Sequence, residues 1–241
     1  MRFEARVLLE KVRGKRVMFV GDSVNRNQWE SMVCLLHSVI PPGRATWKMG
    51  APLSVFYIQD YNATFEFYWS PFLVESNSDD SRNHSIAQRI IMPESISKHG
   101  NNWKSADFLV FNTYIWWMNS RSIKVLSSNW NNPNEAACAL ETTPISNASM
   151  ALEMGTDRRL LEVAKKVIND TEIPVTLIDI TALSEYRKDA HTSVYTIRQG
   201  KLLTPEQKAD PATFADCLHW CLPGVPDTWN ELLYAHIISN S

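Results

Sequence analysis

Two short motifs with reactive side chains stand near the two ends of the chain. Close to the start, RVMFVGDSVNRNQWESMVCLL (16–36) runs five mostly apolar residues into Gly21-Asp22-Ser23 and then into a helical pattern. A serine at the seam between a buried strand and a helix lies in the first helical turn. Backbone N–H groups there lack intrahelical partners, and the helix dipole favours negative charge. Such a serine can serve as nucleophile and, through its own N–H, as oxyanion donor, while Gly21 permits the sharp turn. Serine is a poor nucleophile until a base takes its proton, and the base needs an orienting group. Close to the other end, ADCLHWCLPGVPDTW holds Asp216 and His219. An Asp three residues before a His, in a loop ahead of a helix, can fold back so that its carboxylate holds Nδ1–H and Nε2 faces the serine. Each motif alone has a plainer reading: Asp22 or Ser23 as a helix N-cap, and His219 as a residue of a surface turn.

Hydrophobic periodicity gives the secondary structure around these groups. Residues 16–20 read as a short buried parallel-type strand. From Val24, apolar residues Trp29, Met32, Val33, Leu36, Val39 and Ile40 recur at helical steps, and Pro41-Pro42-Gly43 stops the run. SVFYIQDY and TFEFYWSPFLVE are β-rich. Residues 75–105 are polar and rich in Asn and Ser, a loop reading. ADFLVFN, ending at Asn112, is a second buried strand, and a long polar connection covers 119–146. A helix is predicted over 150–168, a third buried strand at IPVTLIDIT, and a hairpin around SVYTIRQGKLLT. Thr228 with Glu231, just after Pro226, predicts a capping box for the last helix. Strands alternating with helices predict an α/β fold with a central, mostly parallel sheet covered on both faces. No internal repeat or linker interrupts it, so residues 1–241 are expected to form a single catalytic domain.

Composition narrows the function. A 241-residue chain with 44% hydrophobic residues builds an ordinary globular core. Its net charge of −2 and lack of a long basic run argue against nucleic acid as a partner. No stretch reaches the roughly 20 apolar residues of a membrane span, and no targeting segment is visible. Four Asn-x-Ser/Thr sequons, at Asn62, Asn83, Asn147 and Asn169, tilt the reading towards a secretory lumen with glycosylation there. The cysteines are Cys34, Cys138, Cys217 and Cys221. CLHWC offers too few ligands for a zinc site, so no metal is expected; a disulfide from it to Cys138 suits the sequons better. His37, His84, His99 and His236 read as helix face, loop, loop and helix face.

Ser, then Asp, then His is the chain order of the SGNH (GDSL) esterase fold, a three-layer sandwich that this sequence resembles. VGDSVNRNQWESMVCLL, WSPFLVE, LVFNTYIWW and the long segment from RKDAHTS to NELLY resemble the plant trichome-birefringence-like family, whose domain is also called PC-esterase. The resemblance covers essentially the whole chain. It implies a Golgi, lumenal polysaccharide O-acetyltransferase with Ser23 as nucleophile, His219 as base and Asp216 orienting it. NTYIWW resembles the xylan-acetylating branch, which implies xylan as the acceptor. Full-length members begin with a membrane anchor and a cysteine-rich segment that this sequence does not show. That implies lost partners for Cys34 and Cys221 and a bridge between Cys138 and Cys217, tethering the Asp216–His219 loop.

By the same resemblance Asn112 is an oxyanion donor beside Ser23. Asn25 and Arg26 are further candidates from their place in the sequence, since a cation one helical turn from Ser23 can stabilise an oxyanion. Trp116 and Trp117 follow the same strand end as surfaces for a sugar ring. His191, in KDAHTS, is assigned to the substrate groove rather than to the base, because Asp189 would point away in an extended run. No bound cofactor is implied beyond an acetyl donor as co-substrate, for which acetyl-CoA is one candidate; no phosphate-binding loop identifies it. Other wall-synthesis proteins are possible partners. Two other functions fit the same residues: an acetyl esterase, and a catalytically silent polysaccharide-binding or wall-scaffold protein.

Overall fold

The computed structural model describes residues 2–84, 86, 88–118, 137–146, 158–197 and 200–239. The chain packs as two compact units, Met1–Trp117 with Pro226–Ser241, and Met118–Val225.

The first unit is built on a five-stranded mixed sheet. Its elements are α1 (Ala5–Lys11), β1 (Arg16–Gly21), α2 (Ser23–His37), β2 (Ala45–Lys48), β3 (Leu53–Ile58) and β4 (Ala63–Trp69). A short pair follows, β5 (Glu75–Ser76) and β6 (Ile91–Met92), then α3 (Ile96–Trp103), β7 (Phe108–Asn112) and α4 (Ile115–Met118). The sheet order is β2-β3-β4-β1-β7. β1 pairs in parallel with β4 and β7, while β2–β3 and β3–β4 are antiparallel. The parallel centre is the expected one, and the antiparallel extension comes from the β-rich runs. β1 is buried on both faces, as its unbroken apolar run requires. On one face α2 covers it: the Trp29 indole N–H donates to the Phe65 carbonyl at 3.1 Å, and its ring lies 6.0 Å from that of Phe67. On the other, Met18, Val20 and Tyr68 pack with Trp103 of α3. Helix, sheet and helix thus form the layers of an α/β fold.

α3 falls in the stretch read as loop. Its Ser, His, Gly and Asn are weak helix formers that mask the pattern. Trp103 nevertheless anchors it, edge-on to Tyr68 at 6.2 Å and to Phe111 at 5.5 Å. His99, read as a loop residue, is buried in this helix, between the Tyr68 hydroxyl and the Asp79 carboxylate, each at 3.1 Å.

The second unit contains α5 (Arg158–Asp170), α6 (Thr181–Tyr186), β8 (His191–Ser193) and β9 (Thr196–Ile197). Then come β10 (Lys201–Leu202), α7 (Pro205–Lys208), α8 (Pro211–Phe214) and β11 (Asp216–Trp220). β9 and β10 form the expected hairpin. The expected third buried strand is not formed. Residues 174–180 make no ladder, and Ile173, Val175 and Leu177 are exposed. A β-branched run becomes a strand only where a neighbouring edge supplies hydrogen bonds.

The last helix, α9 (Val225–Ser239), starts earlier than the capping box predicted. Pro226 lies in its first turn, where a fixed φ and a missing N–H cost nothing, so Thr228 is already inside the helix. Asn230 of α9 donates to the Gln28 carbonyl at 3.0 Å and to the Ser31 hydroxyl at 2.9 Å, and Ser31 also bonds to Asp227. These buried bonds tie α9 to α2. The polar connection over 119–146 and the start of the helix predicted from residue 150 lie mostly outside the described residues.

Candidate active site

Ser23 is the first residue of α2 and half-buried. The capping role belongs to Asp22, whose carboxylate accepts from the Val24 N–H at 2.8 Å and the Asn25 N–H at 3.5 Å. Ser23 is therefore not the helix cap. Gly21 is demanded by space: a Cβ there would stand 2.0 Å from the Asn112 carbonyl oxygen. The same approach sets Asn112 directly across the ladder from Gly21, two residues from Ser23. Asn25 is buried and donates to the Val110 carbonyl at 3.0 Å, fastening the first turn of α2 to β7. Arg26 is engaged by Glu30 at 3.0 Å, one turn along the helix.

The two tryptophans after β7 have different surroundings. Trp116 is buried among Trp69, Phe72 and His84, with the Arg89 guanidinium 4.5 Å over its ring. Trp117 is 43% exposed. Its indole N–H donates to the Thr113 hydroxyl at 3.0 Å, and its ring meets Phe72 edge-on at 5.0 Å. Trp117 alone of the pair presents a broad open surface.

In the second unit, Asp216 and His219 form the expected pair. The His219 Nδ1 lies 2.8 Å from Asp216 Oδ2, and Asp216 Oδ1 accepts the N–H groups of Leu218 and His219 at 3.0 Å each. Burial alone would raise the Asp216 carboxyl. The hydrogen bond and charge of His219, with the two backbone N–H groups, outweigh burial and bring it down to about 2. An ionised carboxylate only accepts, so Nδ1 carries the proton and the neutral ring keeps its lone pair on Nε2. That is the tautomer a general base needs.

The disulfide joins Cys138 to Cys217, inside the Asp216–His219 segment, with Cα atoms 5.6 Å apart. Cys34 and Cys221 are free thiols. β8 pairs antiparallel with β11, setting Ser193 opposite Asp216 and His191 opposite Trp220. His191, expected in a substrate groove, is buried and stacked on Trp220 at 3.8 Å. A buried ion pair, Lys188 to Glu141 at 2.9 Å, lies one turn ahead of β8. Thr192 and Ser193, next to His191, carry no signal in the sequence that sets them apart from ordinary strand residues. Of the sequon asparagines, Asn62, Asn83 and Asn169 are exposed, and Asn147 lies outside the described residues. Among the described residues, no three His, Cys, Asp or Glu side chains gather as a metal site requires, and no helix is long and apolar enough to cross a membrane.

The model of the PC-esterase family, described as a GDSL/SGNH-like acyl-esterase family found in Pmr5 and Cas1p, matches residues 1–128 and 122–236. The chain belongs to this family. It is 49% identical to xylan O-acetyltransferase 6 of Oryza sativa subsp. japonica over 99% of its length, covering 53% of that protein. Identity is 48% to xylan O-acetyltransferase 3 of the same species, over 99% of this chain and 64% of that one. It is 40% to protein trichome birefringence-like 3 of Arabidopsis thaliana, over 98% of this chain and 66% of that one. The chain thus spans between half and two-thirds of the length of these relatives. The first alignment runs over 295 positions, more than the 241 residues here, so that relative carries internal residues with no counterpart in this PC-esterase chain.

Proposed function

We propose that this chain is an O-acetyltransferase that carries an acetyl group on Ser23 to a hydroxyl of a cell-wall polysaccharide, with xylan as the acceptor. The observation that carries the proposal is the His219–Asp216 pair at 2.8 Å, holding the imidazole in the tautomer of a base. The names of the rice relatives, xylan O-acetyltransferases, support xylan. Residues 1–241 act as one catalytic domain in this reading, on the lumenal side of the Golgi, where the sequon asparagines would carry glycans.

In the first step Ser23 Oγ attacks the carbonyl carbon of an acetyl ester or thioester donor, and its proton passes to His219 Nε2. The oxyanion is held by the Ser23 N–H at the positive end of α2, with Asn112 as second donor and Arg26 as a supporting cation. The tetrahedral adduct collapses, the donor's leaving group takes the proton from the imidazolium, and acetyl-Ser23 remains. A sugar hydroxyl then gives its proton to Nε2 and attacks the acetyl carbon. Ser23 leaves with that proton, and the acetylated sugar departs. Asp216 stays ionised and stabilises each imidazolium. Trp117 offers the stacking surface for a sugar ring.

The family description as acyl-esterases favours a second reading, in which water replaces the sugar in the second step. The test is product analysis with an acetyl donor and xylo-oligosaccharide. Acetylated oligosaccharide that vanishes in Ser23→Ala supports transfer. Release of acetate alone, equally fast without sugar, supports hydrolysis.

A further inference from the structure

The backbone carbonyl of His219 is the end point of a small built assembly in the second unit. Two side chains of β8 converge on it: His191 Nδ1 at 3.1 Å and the Thr192 hydroxyl at 3.2 Å. A carbonyl only accepts, so both groups donate, and the His191 proton sits on Nδ1. The His191 donor is itself held in place. The His191 ring lies on the Trp220 ring at 3.8 Å with 24° between planes, and Trp220 is the residue after His219. The Cys221 N–H donates to the Ala190 carbonyl at 3.1 Å, closing the ladder on the far side. The His219 peptide is thus gripped on its carbonyl while its N–H and imidazole are held by Asp216.

We propose that His191 and Thr192 are positioning residues for the general base, fixing the His219 backbone so that its imidazole keeps the orientation that Asp216 selects. The inference rests on the reading of His219 as the base. The ring of His191 is suited to this part because burial drives its ionisation down, to about 4, against the raising influence of the His219 carbonyl. The titratable groups that face it are Asp216 and His219 of β11, Asp189 just before β8, and Cys221, whose thiol lies 3.6 Å from the His191 carbonyl. It therefore remains a neutral, permanent donor at the pH where His219 must cycle its proton.

The test compares three variants with the parent chain in the acetyl-transfer assay. In His191→Asn, Nδ2 stands where Nδ1 stood, one bond beyond Cγ, so the donor is kept. His191→Phe keeps a ring on Trp220 and loses the donor. Thr192→Val removes the second donor at nearly constant shape. Loss of orientation at the base should lower kcat about tenfold to a hundredfold in His191→Phe, with KM within about threefold, and His191→Asn should recover most of it. Thr192→Val should lie between them. An equal loss in His191→Asn and His191→Phe, beside an inactive His219→Ala, overturns the inference alone. Full activity in His219→Ala removes the base reading and this inference with it.

Nitrogen NMR on the parent chain gives a readout that needs no turnover. His191 should show the neutral Nδ1–H tautomer throughout about pH 5 to about pH 8. Titration of His191 in that range, or a proton on Nε2, overturns the proposal even if His191→Phe fails to fold.

Discussion

Replacing Asp216 by Asn changes one heavy atom and should reverse the tautomer of His219. The Asn oxygen can still accept the N–H groups of Leu218 and His219, each 3.0 Å from Asp216 Oδ1 in the parent chain. Its NH2 then occupies the place of Oδ2, 2.8 Å from His219 Nδ1. Two donors cannot face one another, so His219 moves its proton to Nε2 and loses the lone pair that a general base needs. In a triad of this type the wrong tautomer lowers kcat on the order of 10⁴-fold, a rise of about 5 kcal/mol in the barrier. KM should stay within about threefold, because Asn keeps the shape of Asp and the substitution acts on the tautomer of His219.

The same substitution has a pH signature. The folded Asp216 carboxyl is depressed from 3.8 to about 2. Its contribution to stability is therefore complete above pH 3.8 and is lost as pH falls towards about 2. The side chain is partly exposed, so about 1–2 kcal/mol is the fair magnitude after screening. Denaturant titrations of both chains should show that gap at neutral pH and its closure near pH 2. Transfer kinetics on xylo-oligosaccharide at saturating and limiting sugar give kcat and KM. An Asp216→Asn chain within about tenfold of the parent kcat would refute the tautomer argument.

Other substitutions probe the frame around the site. Gly21→Ala forces a Cβ to within 2.0 Å of the Asn112 carbonyl; it should cost about 1–3 kcal/mol by denaturant melt and displace the β7 end. Breaking the Cys138–Cys217 bridge, whose ends are 79 residues apart, should destabilise by up to about 4 kcal/mol. Melting of the Cys138→Ser/Cys217→Ser chain beside the parent, without reductant, reads that loss. Trp117→Ala should raise KM for xylo-oligosaccharide about fivefold with little change in kcat. Trp116→Ala should instead cost about 3 kcal/mol of stability, as truncating a packed aromatic does.

Each half of the candidate site could be read from the chain because the groups within that half are local in sequence. A strand running into Gly21-Asp22-Ser23 fixes both a turn and a helix start, and the three-residue step from Asp216 to His219 lets one side chain fold onto the other. The β8 platform was harder to see. Thr192 and Ser193 look like ordinary strand residues, and their nearness to β11 depends on a pairing between segments more than twenty residues apart. Helix α3 was hidden because packing of Trp103, rather than propensity, stabilises it. The run from Ile173 to Thr181 has the composition of a strand, but a strand needs a neighbour. The family match divides at residues 122–128, between β7 and this run, and the rice relative aligned over 295 positions carries internal residues that this chain lacks. Apolar content said what could be buried there, and pairing decided otherwise.

Whether Ser23 carries the acetyl group is read from the intact mass of the chain after brief exposure to an acetyl donor, with peptide mapping of any adduct. One acetyl group is expected on Ser23, absent from Ser23→Ala, accumulating in His219→Ala far more slowly than in the parent, and discharged when xylo-oligosaccharide is added. An adduct on another residue, or acetyl transfer that continues undiminished in Ser23→Ala, would contradict it.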